Sequence, residues 1–229
     1  MSPSLISVWD SLCTPSLPAL GWGVPDEILS LEGGYLLTRS YLIPTQDGGH
    51  LMIDAPMDAD VWLEQLGIVP QALLLTHQHF DHVMTASKIA KSGVPIYAWQ
   101  PFSRELTLEE VVRSWGMPFD VDAYEVTHLL AAEKSLSLGG LDFELLHVPG
   151  HSVDSVVFHL PAGGLAFAGD TLFAGSTGRA DLPGGDMELL LSGIRTKLYT
   201  LPENTRIHPG HGPATTIGTE RRQNAVVRP

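Results

Sequence analysis

Residues 76–82 read THQHFDH and place three histidines and one aspartate within seven positions, directly after the apolar run QALLL. Neutral imidazoles and carboxylates are the usual protein ligands of zinc, iron and manganese. A catalytic tetrahedral ion takes three protein ligands and keeps its fourth position for water. The cluster offers more ligands than one such ion needs and too few for two, so further ligands are expected later in the chain. The candidates within the cluster are His77, His79, Asp81 and His82.

Three more candidate ligands follow later strand-like runs. His151 comes after FELLHV, Asp170 comes after GLAFAG, and His211 comes shortly after TRI. In each case a strand stops, small residues allow the backbone to turn, and glycine permits close approach. Strand ends hold side chains in fixed positions, which a metal site requires. The sequence therefore predicts that these residues join the cluster in one metal centre.

Strands and helices alternate in both halves of the chain, with hairpins between some of the strands. This pattern favours two mixed sheets covered by helices over a doubly wound parallel sheet. Nothing marks a linker, so we expect one domain over residues 1–229, in which residues 1–34 form an atypical N-terminal segment. Strands are predicted at 35–43, 50–54, 71–76, 94–99, 141–148, 155–160, 164–169 and 205–210, and helices at 58–67, 81–93, 107–116 and 186–201.

Composition narrows the classes of partner. The 26 acidic residues outnumber the 13 basic residues and give a net charge of −13, which disfavours nucleic acids and anionic membranes as partners. Cys13 is the single cysteine, so no intrachain disulfide forms, as suits a reducing compartment. The N-terminus lacks the features of a secretion signal. We expect a cytoplasmic monomer or homodimer that acts on a small molecule and contacts neither nucleic acid nor membrane.

The cluster HQHFDH matches the H-x-H-x-D-H motif of the metallo-β-lactamase superfamily, and the three later ligands match its remaining positions in order. Over roughly residues 35–222, the segments VPGHS, GDTLFAGSTGRADLPGGD and PGHGPATTIGTERRQN resemble the short form of the glyoxalase II-type hydrolases. The resemblance implies an α/β fold of four layers, αβ/βα, with two mixed β-sheets sandwiched between helices. It also implies two divalent cations, with zinc expected ahead of iron or manganese.

The same resemblance assigns the ligands. Asp170 would bridge the two metals, and Asp81 would be catalytic as both a ligand and an orienter of the attacking hydroxide. A metal lowers the pKa of its bound water to about 7, so that hydroxide forms at neutral pH and attacks a thioester such as S-lactoylglutathione, or another small ester. The first metal would be bound by His77, His79 and His151, and the second by Asp81, His82 and His211.

Two further residues are predicted to serve the site. A basic residue nine positions after the bridging aspartate contacts glutathione in the long glyoxalase II enzymes, and Arg179 has this offset. It would bind an anionic substrate, or else form a salt bridge with Asp181 or Asp186. The tyrosine expected two residues after the last histidine is Pro213, which weakens the case for glutathione. Asp54 is expected to be a buried hydrogen-bond acceptor near His77 or His79.

Other functions remain open on the sequence. A mononuclear iron persulfide dioxygenase would use His77, His151 and Asp170 as a facial triad, and the seven ligands do not separate it from a hydrolase. The segment RADLPGGD leans towards the hydrolase. A lactonase and a non-catalytic metal-binding scaffold are the remaining alternatives.

Overall fold

The computed structural model describes residues 28–117 and 119–229, and two six-stranded sheets lie at its centre. In the first sheet, three antiparallel strands are followed by parallel pairing between the third, fourth, fifth and sixth strands. Its strands, in spatial order, are β1 (Leu29–Gly33), β2 (Thr38–Pro44), β3 (His50–Ile53), β4 (Ala72–Leu74), β5 (Ile96–Ala98) and β6 (His128–Leu129).

The second sheet is also mixed, since one parallel pair interrupts an otherwise antiparallel order. A separate two-stranded hairpin, β11 (Leu172–Phe173) with β12 (Ser176–Thr177), follows its third strand. The strands of the second sheet, in spatial order, are β14 (Thr215–Thr216), β13 (Arg206–Pro209), β10 (Leu165–Gly169), β9 (Val156–Leu160), β8 (Leu141–His147) and β7 (Ser135–Leu138).

Helices cover the outer face of each sheet. A 3-10 turn at Pro161–Gly163 and a π-helical turn at Ile194–Leu198 complete the helical segments of the described residues. The α-helices are α1 (Ala59–Leu66), α2 (Phe80–Val83), α3 (Ala86–Lys91), α4 (Arg104–Thr107), α5 (Glu109–Ser114), α6 (Met187–Gly193) and α7 (Ile217–Gln223).

Side-chain alternation along the strands explains the layering. In β2, Leu42 packs among the helices of the first half, whereas Tyr41 and Ile43 pack between the two sheets. Successive residues of a strand point to opposite faces, so a strand that is apolar on both faces needs a layer on each side. A third apolar cluster, around Leu190 and Ile194, joins the second sheet to its own helices. The predicted four-layer αβ/βα fold is confirmed.

Several predicted elements are shorter than expected because the backbone breaks within them. The strand predicted at 35–43 begins at Thr38, after a turn in which the Leu37 amide donates to the Gly34 carbonyl. The helix predicted at 107–116 breaks at Leu108, whose φ of 56° separates α4 from α5. Left-handed backbone is unusual for leucine, so the residue type gave no sign of the break. The helices predicted at 81–93 and 186–201 are also divided, the second by its π-helical turn.

Residues 1–27, with Cys13 and most of the predicted N-terminal segment, lie outside the described residues. Within the part of the chain that the structure describes, no helix has both the length and the apolarity needed to cross a membrane.

Candidate metal centre

The HQHFDH cluster lies where the chain leaves β4 and enters α2. Its two intervening residues turn away from its ligands. Gln78 donates to the Gln100 carbonyl (3.0 Å) and accepts from the Tyr124 hydroxyl (2.9 Å). Phe80 is buried and stacks on Phe119, with ring centroids 5.0 Å apart. The spacing of the motif therefore alternates candidate ligands with residues that anchor the loop.

Histidines from both sheets form the first donor group. His77 and His79 follow the first sheet, and His151 follows β8 of the second. One ligand atom from each lies within 4.8 Å of the others. The His79 and His151 rings, for example, have centroids 4.4 Å apart. Three imidazoles at these separations form the donor arrangement of a metal site that leaves a position for water.

A second donor group contains Asp81, His82 and His211, again within 4.8 Å of one another. His211 Nε2 lies 3.3 Å from Asp81 Oδ2, and His82 Nε2 lies 3.5 Å from the same oxygen. Thr38 donates to this carboxylate oxygen (2.7 Å), which fixes its direction. The motif thus contributes two residues to each donor group.

Asp170 lies between the two groups. Its Oδ1 is 3.3 Å from His82 Nε2, while its Oδ2 is 3.5 Å from His151 Nε2 and 3.4 Å from His211 Nε2. Gly210 makes room for this carboxylate, because a Cβ on residue 210 would lie 2.2 Å from Asp170 Oδ1. The structure thus brings all seven predicted ligands together, with Asp170 in contact with both groups.

Four buried polar atoms of these ligands have no hydrogen-bond partner among the described residues. They are the Nε2 atoms of His77, His82 and His151, and Oδ1 of Asp170. Buried polar atoms are nearly always partnered, so each exception needs an explanation. Because the four atoms belong to the same donor groups, bound cations explain all of them together. The residues present therefore fit a metal centre.

The remaining ring nitrogens are held by specific partners. The carbonyl of Arg179 lies 2.7 Å from His151 Nδ1, and that of Leu36 lies 3.1 Å from His211 Nδ1. Thr76 Oγ1 lies 3.1 Å from His77 Nδ1. Such contacts fix the tautomer and the orientation of a ligating imidazole. In each of these histidines, the contact at Nδ1 leaves Nε2 free to bind a metal.

Asp54 is buried and accepts hydrogen bonds at the base of the site, as expected, but its histidine partner differs from the predicted one. His82 Nδ1 donates to Asp54 Oδ2 (2.8 Å), and the Thr76 amide and hydroxyl donate at 2.7 Å each. Asp54 reaches His77 only through the Thr76 hydroxyl. The sequence could not identify His82 as the partner, because 28 residues separate the two.

The buried imidazoles and carboxylates of the two donor groups shift one another's pKa values. Burial and the neighbouring imidazoles hold the pKa of His77 well below its usual value, and they lower that of His79 to about 3. Burial alone would raise the pKa of Asp81, but His82 and His211 outweigh it and lower the value to about 2. Burial opposes protonation of His211, yet Asp170 and Asp81 raise its pKa to about 9. The carboxylates thus create a negative potential that attracts cations.

Replacing Asp54 with asparagine should weaken metal binding roughly 10- to 100-fold, the usual cost of losing a partner that orients a ligand. Asparagine keeps the size but directs an amide group towards either His82 Nδ1 or the Thr76 donors. Metal affinity is measured by competition with a chromophoric chelator. Asp142→Asn makes the same chemical change at an exposed carboxylate bonded to Ser137 and should bind normally. Equal affinities in the two variants would contradict this role for Asp54.

A cavity of about 460 Å³ opens beside the donor groups, and His79, Asp81, His151, Asp170 and His211 lie in its wall. Arg179 also lines it. The Arg179 guanidinium donates two hydrogen bonds of 2.7 Å to Asp181, which is the salt bridge considered as an alternative to substrate binding. The arginine thus borders the cavity while paired with an acid.

Comparisons with known proteins agree with this geometry. The family profile of the Metallo-beta-lactamase superfamily matches residues 33–211. The hydroxyacylglutathione hydrolase GloC of Haemophilus influenzae is 40% identical over 166 residues, which cover 71% of this chain and 78% of that one.

Two solved structures share the architecture. The BLEG-1 B3 metallo-beta-lactamase is 35% identical with a TM-score of 0.78, and the match covers 87% of this chain and 98% of that one. TTHA1623, solved in a di-iron-bound form, is 36% identical with a TM-score of 0.76, covering 86% and 98% respectively.

Proposed function

The chain belongs to the metallo-beta-lactamase superfamily and is a metal-dependent hydrolase, and we propose that it uses two divalent cations to hydrolyse a thioester or another small ester. The observation that carries the proposal is the pair of donor groups in contact with one carboxylate, Asp170. One cation would be held by His77, His79 and His151, and the other by Asp81, His82 and His211.

The chemistry of such a centre suits carbonyl substrates. When bound, a pair of divalent cations lowers the pKa of water to near 7 and polarises the carbonyl. Asp81, fixed by the Thr38 hydroxyl, would accept a hydrogen bond from the attacking water and orient it towards the carbonyl carbon. The Nδ1 contacts hold the imidazoles in place, so that little reorganisation is needed during the reaction. A thiolate is a stable leaving group at neutral pH and needs no general acid.

A thioester is the proposed bond because the relative GloC is named a hydroxyacylglutathione hydrolase, and such substrates are thioesters. The dioxygenase alternative needs only His77, His151 and Asp170. It gives no reason for Asp81, His82 and His211 to converge, or for Asp54 to hold His82 through a short hydrogen bond. The seven ligands alone do not exclude a dioxygenase, and the 40% identity to the hydroxyacylglutathione hydrolase GloC favours the hydrolase.

Zinc is the proposed metal, because neutral imidazoles with carboxylates suit it and hydrolysis needs no redox change. Iron fits the same donors, and the related TTHA1623 was solved with two iron ions. Arg179 borders the cavity, where it would contact the part of the substrate distant from the carbonyl.

The proposal is tested by measuring metal content and hydrolysis on one sample purified without added metal. We expect about two divalent cations per chain, with hydrolysis of S-acetyl-N-acetylcysteamine, S-lactoylglutathione, or both. About one iron per chain, no thioester hydrolysis, and oxygen uptake with glutathione persulfide would overturn the proposal in favour of the dioxygenase.

A further inference from the structure

We propose that the substrate carries an uncharged, apolar arm of several carbons, which binds in the cavity beside the metal centre, rather than the charged peptide arm of glutathione. This inference rests on the proposed hydrolysis of an ester or thioester. It concerns which substrate within that class is preferred.

One wall of the cavity is an apolar helix face. Leu108, Val111, Val112 and Trp115 all line the cavity. The spacing of Val111, Val112 and Trp115 places them on one side of α5 and the residue after it, and Leu108 comes directly before this helix. The left-handed turn at Leu108 separates α5 from α4. The site therefore presents a continuous apolar stripe to a ligand.

The facing walls are apolar as well. Leu36 from the turn between β1 and β2, Phe173 from β11 and Leu182 contribute to the lining. Apart from the proposed metal ligands and Arg179, every described residue that lines the cavity is apolar. Trp115 and Leu36 remain 52% and 46% exposed, so both are accessible to a ligand. Small-molecule sites are typically apolar clefts with volumes of about 300–1,000 Å³, and this cavity of about 460 Å³ lies within that range.

Outside the donor groups, the charge in the cavity wall comes from Arg179, which is paired with an acid. Apart from the histidines proposed as metal ligands, Arg179 is the one basic residue among the described residues of the lining. Both of its hydrogen bonds to Asp181 are 2.7 Å long, and its guanidinium carbon lies 5.8 Å from the centre of the Trp115 ring. An anionic arm would have to compete with Asp181 for this arginine, on a chain whose net charge is −13. Apart from Arg179 and the proposed metal ligands, the described residues of the lining offer no charged side chain to glutathione, which carries two carboxylates and an ammonium group.

The test uses two series of neutral thioesters. In the first, N-acetylcysteamine is the thiol and the acyl group is acetyl, butanoyl, hexanoyl or octanoyl. In the second, the acyl group is always acetyl and the thiol arm is lengthened. In one of the two series, each added methylene should increase kcat/KM by at most about fourfold, which is the gain expected when a methylene group is fully buried. The kcat/KM for the hexanoyl thioester should be higher than that for its ω-carboxylate analogue, the adipoyl thioester. Both short and long neutral substrates should have a higher kcat/KM than S-lactoylglutathione. A flat response in both series, or a preference for adipoyl or S-lactoylglutathione, would overturn the inference.

Variants locate the effect. Trp115→Ala should reduce the gain for long arms at least tenfold, measured as the ratio of kcat/KM for the octanoyl substrate to that for the acetyl substrate. Val111→Asn, which places an amide on the same helix face, should also reduce the gain for long arms, and it replaces Trp115→Ala in the test if that variant is poorly folded. Trp99→Ala is the matched control, since Trp99 stacks on His147 and does not line the cavity. Equal chain-length profiles in all three variants and the parent protein would contradict the assignment of the apolar arm to this cavity.

A binding measurement separates this inference from the proposed function. The thioether S-octyl-N-acetylcysteamine cannot be hydrolysed, and its binding is followed by calorimetry on the metal-loaded protein. One outcome is that the parent protein binds the thioether, Trp115→Ala does not, and the parent protein hydrolyses no thioester. This outcome would overturn the proposed function and support the apolar site. Turnover of short thioesters with no binding of the thioether would keep the proposed function and overturn the apolar site.

Discussion

Replacing Asp170 with asparagine is expected to reduce hydrolysis by roughly 1,000-fold or more, a loss of about 4 kcal/mol of transition-state stabilisation. Asp170 contacts His82, His151 and His211 through its two oxygens. Asparagine replaces one oxygen with a hydrogen-bond donor that cannot bind a cation. We expect metal content to fall from about two cations per chain to one or fewer, as measured by mass spectrometry of the purified protein.

The matched control for this change is again Asp142→Asn, in which the same replacement occurs at an exposed position on β8. It should retain both cations and full turnover. If Asp170→Asn also retained two cations and parental kcat/KM, Asp170 would not bridge the donor groups and the dinuclear mechanism would be wrong.

Replacing His82 with alanine should remove the second cation and most of the hydrolysis while the fold persists. The imidazole belongs to the second donor group, with Asp81 and His211, and one of its ring nitrogens also lies within 4.8 Å of ligand atoms of His77 and Asp170. Its loss also leaves Asp54 without its histidine partner, although both hydrogen bonds from Thr76 remain. Metal content should fall to about one cation per chain, and circular dichroism should report an unchanged content of helix and strand.

His159→Ala provides a close comparison, because it also removes a buried imidazole paired with a carboxylate. His159 Nδ1 lies 2.8 Å from Glu144 Oε2, within the second sheet and outside the donor groups. This variant should keep metal content and turnover near the parental values. Similar losses in the two variants would mean that His82 acts through general packing rather than as a ligand.

The convergence of the seven candidate ligands could be predicted because its signals are local. Four of the candidate ligands lie in one turn, and each of the others follows the end of a strand with a glycine beside it. Strand ends and glycine turns are specified by the residues themselves, so the sequence indicates both the ligands and the elements that position them. The layered fold was predictable for a related reason, since apolar runs such as QALLL require cover on both faces.

The apolar cavity could not be predicted, because its wall depends on a backbone conformation that its residues do not favour. The left-handed turn at Leu108 separates α5 from α4, whereas the sequence indicated one uninterrupted helix over 107–116. The pairings of Asp54 and Arg179 were missed or left open for another reason. Both depend on which of several nearby partners the folded chain brings into contact, and periodicity carries no information about that choice.

The ligands come from both halves of the fold, four from the segment after β4 and three from loops that follow strands of the second sheet. A cation bound there would contact ligands that follow strands of both sheets, and global unfolding would release it. Mass action then adds about 2.7 kcal/mol to the free energy of unfolding for each site whose free cation concentration is 100 times its dissociation constant. The four ligands within one turn remain close in an unfolded chain, so weak binding there offsets part of this gain. The supply of metal would consequently determine how long the folded chain resists proteolysis, as well as how fast it turns over substrate.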